Sequence, residues 1–164
     1  MSILTMGPDR LAEVLARVDA LAGKELLIGI PEAEGPRDDG APISNAAIGY
    51  INEYGSPQLN IPARPHLVPG VREALPVCVA HMERAARAAL ASGSAADAEA
   101  GLHAAGLAAV SSVQRYLTKG TNFAALSAAT LARRRAKGHA GDKPLIESGS
   151  YRLALSYALR PRKP

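Results

Sequence analysis

Four histidines, one cysteine and two groups of carboxylates are the residues of this 164-residue chain whose chemistry could reach beyond packing. His66, His81, His103 and His139 are scattered, without the helical or short-loop spacing that gathers imidazoles around one metal ion. His81 and Glu83 stand two apart on one expected helix and so face different sides of it. Cys78 lies in the apolar stretch Val77–Val79 with nothing nearby to favour a thiolate, and reads as a small buried hydrophobe. Glu32, Glu34, Asp38 and Asp39 lack the D-x-[DN]-x-[DN]-G pattern of a calcium loop and read as loop-solubilising charge. Ser148-Gly149-Ser150 lacks the frame of a G-x-S-x-G elbow, and no phosphate-binding, dinucleotide-binding or H-E-x-x-H motif occurs. The expectation is a protein that is not an enzyme and that uses no cofactor and no metal.

Composition narrows the class further. Alanine accounts for 33 residues, while Leu, Ile, Val and Phe together number 36, and Trp is absent. That places the chain just above the roughly 20% aliphatic-and-Phe level below which charged chains stay disordered. One domain with a thin core of Ala and aliphatics is expected, with a partner or oligomer covering further apolar surface. A lone cysteine excludes a disulfide framework within the chain and any multi-Cys zinc or iron–sulfur site. No apolar run approaches a membrane span, and MSILTMGPDR lacks the basic-then-apolar order of a signal peptide. A soluble protein made in a reducing compartment, with no membrane contact, is the expectation.

The formal net charge of +4 conceals a strong asymmetry. Residues 1–119 carry 10 Lys/Arg against 13 Asp/Glu, whereas residues 120–164 carry 9 against 2. The densest basic run is Arg133, Arg134, Arg135 and Lys137, with Arg160, Arg162 and Lys163 in a basic tail at 160–164. Such a run is a solvated helix end, a surface for an acidic protein, or a contact with DNA. On a helix, residues 133 and 137 share a face while 134 and 135 point elsewhere, so the four cannot all meet one surface.

The elements that must position these groups are legible from period and punctuation. Residues 8–22 read as an amphipathic helix with Leu11, Val14, Leu15, Val18, Leu21 and Ala22 on one face, Pro8 at its start and Gly23 at its stop. Glu25–Ile30 reads as a buried strand, and the Gly- and Pro-rich acidic stretch 31–42 as a flexible exposed loop. A helix over 43–54 takes Ser44 as its cap and ends at Gly55. Three prolines make 56–66 extended. Helices follow over 67–91, kinked or broken at Pro76, and over 96–118, whose small residues permit close helix approach. Ser127 caps a short helix to Ala136. A helical turn and a strand over 153–159, alternating at Leu153, Leu155, Tyr157 and Leu159, close the chain, and that strand is suited to pair with Glu25–Ile30. The fold class expected is α+β, a mostly helical single domain with a small antiparallel sheet.

Two stretches combine features that the fold alone does not require. The first is a helix ending in Asn52-Glu53-Tyr54-Gly55, followed by Ile61-Pro62-Ala63-Arg64-Pro65-His66. The second holds Leu126, Ser127, Thr130 and Arg134, then Pro144, Leu145, Ile146, Ser148 and Gly149. In this order the segments 45–67 and 126–160 resemble the tail-completion, or neck, proteins of long-tailed bacteriophages, the group of the lambda-type minor tail protein Z and related virion morphogenesis proteins. His66 stands where that family usually has Phe, and Ser148 where it has Thr. The resemblance implies a homo-oligomeric, sixfold ring at the head–tail junction of the virion, assembled in the bacterial host cytoplasm. It also implies an adaptor or head-closure protein on one side and a tail terminator or tail-tube protein on the other, with non-specific contact to passing DNA. The interface candidates are Glu53, Tyr54, Gly55, Ile61, Pro62, Arg64, Pro65, Arg133, Arg134, Arg135 and Lys137, with the strip Ile61–Pro65 meeting its neighbour through Arg64. Arg64 pinning the strip to its own helix is the plainer reading of that residue. A DNA-binding accessory protein using the basic C-terminal third is the alternative to the virion reading.

Overall fold

The interior is built by two long antiparallel helices whose contact is lined with glycine and alanine. The computed structural model describes residues 11–31, 43–120, 123–146 and 149–162, and within these the side chains of Arg17, Ala20, Leu21 and Ala95 are not described. The acidic stretch beyond Pro31, Pro8, Ser148, Lys163 and the side chain of Leu21 therefore lie outside the described residues. Described elements run α1 (Leu11–Ala22), β1 (Lys24–Gly29), α2 (Asn45–Tyr54), a 3-10 turn (Pro57–Leu59), α3 (Leu67–Ser92), α4 (Ala95–Lys119), α5 (Ala128–Ala136), α6 (Ser150–Leu153) and β2 (Ser156–Pro161). This is the mostly helical α+β domain with a small antiparallel sheet that the sequence predicts.

Helices α3 and α4 form a hairpin closed by Gly93, whose φ of 75° is the left-handed cap conformation that glycine adopts without strain. Their backbones lie so close that a Cβ on Gly101 would fall 2.0 Å from the Ala85 Cβ, and one on Gly70 would fall 2.7 Å from the Val113 Cα. One core cluster is Ala74, Cys78, Ala105 and Ala109, capped by Leu26 and Ile28 of β1. The other is Val113, Leu117, Tyr151 and Leu155. Cys78 is buried and free, as expected of a small hydrophobe. Pro76 does not interrupt α3, which runs on to Ser92. Pro76 and Arg72 both lie on the exposed side, where water can take the carbonyl bond that proline cannot supply.

Strands β1 and β2 pair antiparallel with Ile28 opposite Tyr157 and Leu26 opposite Leu159. The sheet lies on α4, where Gly106 leaves room for the Tyr157 ring. The pairing follows the sequence reading, but β2 begins later than expected because 150–153 is helical and Leu155 is buried ahead of the strand. The expected basic tail is also shorter. Arg160 and Pro161 belong to β2, the Arg160 guanidinium bonds the Glu25 carboxylate across the pair, and Arg162 N donates to Gly23 O. Among the described residues no helix is long and apolar enough to cross a membrane.

Candidate functional site

The two segments that carry the family resemblance meet at one buried polar knot. Helix α2 starts at Ser44, whose hydroxyl accepts from Ala47 N at 3.1 Å, and stops at Gly55 with φ 78°. The following strip is not wholly extended. Ser56 and Ile61 bridge around the 3-10 turn, Asn60 takes a left-handed conformation, and the chain then folds back over Gly55. A Cβ on Gly55 would stand 2.8 Å from Ala63 N. Arg64 N donates to Asn52 O at 2.6 Å, tying the strip to the end of α2.

That fold-back aims Glu53 at the first turn of α3. Its carboxylate accepts from His66 N at 2.7 Å, Leu67 N at 2.8 Å and Val68 N at 3.1 Å. Helix N-termini leave such N–H groups without partners and carry partial positive charge, so one carboxylate satisfies both needs. The His66 side chain supplies no cap of its own, because its ring is used elsewhere. His66 Nδ1 lies 2.9 Å from Arg64 O, which can only accept, so Nδ1 carries the proton. Nε2 is then the acceptor for the Tyr151 hydroxyl at 2.5 Å. Burial lowers the pKa of His66, outweighing the Arg64 carbonyl and the Glu53 carboxylate that favour its charged form. Burial, with Glu53 adding to it, raises the pKa of Tyr151. The pair is therefore neutral at pH 7, and Gly49 makes the space for the hydroxyl, since a Cβ there would stand 3.0 Å from it.

Two buried arginines fix the surrounding chain, Arg64 tying the first segment to the connector before α5 and Arg134 folding the second segment on itself. Arg64 donates from Nε to Ala124 O at 2.9 Å and from Nη2 to Ala125 O at 3.2 Å. Its pKa is lowered by burial and by the nearby Arg134 guanidinium. Arg134 Nη1 donates to the carbonyls of Gly141, Lys143 and Ile146, gathering the loop after α5. Ser127 caps α5 by accepting from Thr130 N, which accounts for the Leu-Ser-x-x-Thr spacing. Leu145, with φ 64°, turns its side chain into the second core cluster.

The interface candidates thus divide. Glu53, Arg64 and Arg134 are buried and bonded inside the subunit, so their side chains are not presented at its surface. Arg64 pins the strip to the connector before α5 as well as to α2. Gly55 and Ile61 are half-buried, while Tyr54, Pro62, Pro65, Arg133, Arg135 and Lys137 stay at the surface. Tyr54 lies beside Tyr50 with ring centroids 4.9 Å apart, and both rings are about two-thirds exposed (64% and 68%). Arg133, Arg135 and Lys137 form no ion pair with a described residue. Sequence reasoning missed His66 and Tyr151 as partners. They are 85 positions apart, and no local pattern joins them. Comparison with protein-family models, with curated proteins and with solved structures finds no match for this chain.

Proposed function

We propose that this chain is a structural subunit of a phage neck or tail-completion ring, joining the head connector to the tail. The observation that carries the reading is the convergence of the two resembling segments on one internal lock, Glu53–His66–Tyr151 with Arg64 and Arg134. A lock of this kind fixes the shape in which the segments are presented, and their outer side chains, Tyr54, Pro62 and Pro65, are left for a neighbour. Rigid proline-rich strips lose little entropy on docking. The composition of the surface supports the same reading. Large apolar side chains remain exposed on α1, α2 and α3, while the largest fully buried residues are Leu117, His66, Val113 and Ser112. A subunit with so small a core draws stability from its assembly.

A second reading, contact with DNA phosphates, is favoured by the exposed Arg133, Arg135 and Lys137, although Arg134 is withdrawn from any such surface. Electron microscopy of particles made after deleting the gene from its phage genome separates these outcomes. The ring reading predicts DNA-filled heads without attached tails. Normal tailed virions from the deletion overturn it, and steeply salt-dependent duplex binding by the isolated protein then favours the DNA reading.

A further inference from the structure

Helix α3 is apolar over two faces, and α4 covers one of them. At roughly 100° per residue, the buried seam Gly70, Ala74, Cys78, Ala85 and Ala89 lies about a quarter-turn from a second stripe, Val68, Leu75, Val79 and Met82. Every member of that second stripe is exposed, at 43 to 50%. Arg72 borders the stripe on one side. Helix α1 presents the reciprocal feature: Leu11, Val14, Leu15 and Val18 form one apolar face that is likewise exposed, bordered by Asp19. Asp19 and Arg72 form no ion pair with a described residue.

We propose that the exposed stripe of α3 is the seat for α1 of a second copy of this chain, docked antiparallel with Asp19 beside Arg72. Charge sets the direction. In right-handed helices packed face to face and antiparallel, the margins bearing Asp19 and Arg72 coincide, whereas parallel packing sends them to opposite sides. Length agrees as well. At about 1.5 Å per residue, Leu11 to Asp19 spans about 12 Å and Arg72 to Met82 about 15 Å. With Asp19 at Arg72, Val18 and Leu15 come beside Leu75, and Val14 and Leu11 beside Val79 and Met82. Within the subunit α1 approaches α3 and α4, yet its apolar face and the α3 stripe both stay exposed. The contact is heterologous, α1 of one copy on α3 of the next, so it propagates into a ring or an open chain. It deepens the ring reading and rests on it only in requiring a second copy.

The test is the mass of the purified full chain across a concentration series, by sedimentation velocity and light scattering. Wild type is expected to self-associate, and Leu15→Asp and Val79→Asp each to weaken association at least about tenfold, since each puts a carboxylate in the apolar seam. Both positions are exposed, so unchanged circular dichroism and melting temperature show that the variants fold. Asp19→Lys and Arg72→Glu each lower association up to about fivefold, and the double swap restores it, as an exposed ion pair would. Association that is indifferent to Leu15→Asp and Val79→Asp overturns this docking and leaves the ring reading standing. A wild-type chain that stays monomeric throughout overturns both.

Discussion

Replacing Glu53 by alanine strands the first turn of α3, and the cost can be worked from its three partners. The His66 N–H is buried and, without the carboxylate, has no water to turn to; an unsatisfied buried donor costs about 1–3 kcal/mol. The Leu67 and Val68 N–H groups are less buried and can be hydrated, so each loses about 1 kcal/mol of its charge-assisted bond. The sum is about 3–5 kcal/mol, which for a domain of this size lowers the melting temperature by roughly 6–20 °C. Glu53→Gln keeps one acceptor oxygen for His66 and Leu67 and loses the Val68 bond and the charge facing the helix dipole. Its cost is about 1–2 kcal/mol. Glu99→Ala, which removes half of an exposed pair with Lys24, serves as the control and moves stability by less than about 0.5 kcal/mol. Thermal unfolding followed by circular dichroism should therefore rank wild type and the control above Glu53→Gln, and Glu53→Gln above Glu53→Ala. An alanine variant that melts with wild type would refute the view that this carboxylate caps α3 across the chain.

Three further outcomes follow from the same geometry. Gly101→Ala gains about 1 kcal/mol of helix propensity, but its methyl would sit 2.0 Å from the Ala85 Cβ, so parting α3 from α4 outweighs the gain and denaturant titration should show a net loss of about 1–3 kcal/mol. Tyr151→Phe leaves His66 Nε2 buried without a donor and should cost about 1–3 kcal/mol, while a double-mutant cycle with His66→Phe should show a coupling, since removing both polar groups costs less than the two separate losses together. Stability should fall on acidification below about pH 6.5, where an unfolded histidine takes up a proton that buried His66 resists; the unfolded state then binds more protons, so stability rises with pH, and in His66→Phe this component of the slope should vanish from melting curves taken between pH 5 and pH 8.

Local signals carried the sequence reading as far as local physics reaches. Ser44 and Ser127 are caps in both the sequence and the structure because an N-cap needs only a hydroxyl and the next three residues. The pairing of β1 with the terminal strand was legible because the apolar run Glu25–Ile30 and the period-2 terminal stretch were the strand signals of the chain. The internal partners of the two buried arginines were not legible for a physical reason. Arg64 between prolines and Arg134 within a basic run look like surface residues, yet their partners are carbonyls on segments that only the tertiary fold brings near. His66 and Tyr151 share no periodicity at all. The apolar face of α1 was legible, but amphipathicity states only that a helix has something to cover, and here Leu11, Val14, Leu15 and Val18 stay exposed.

Native mass spectrometry of the purified full-length chain bears most directly on the central claim that this is an assembling subunit whose resembling segments lock internally and whose apolar helices face a neighbour. The account predicts one dominant closed oligomer that Leu15→Asp dissolves into folded monomers. A chain that is monomeric at every concentration, or an oligomer unchanged by Leu15→Asp, Val79→Asp and the Asp19 and Arg72 charge reversals, would contradict it.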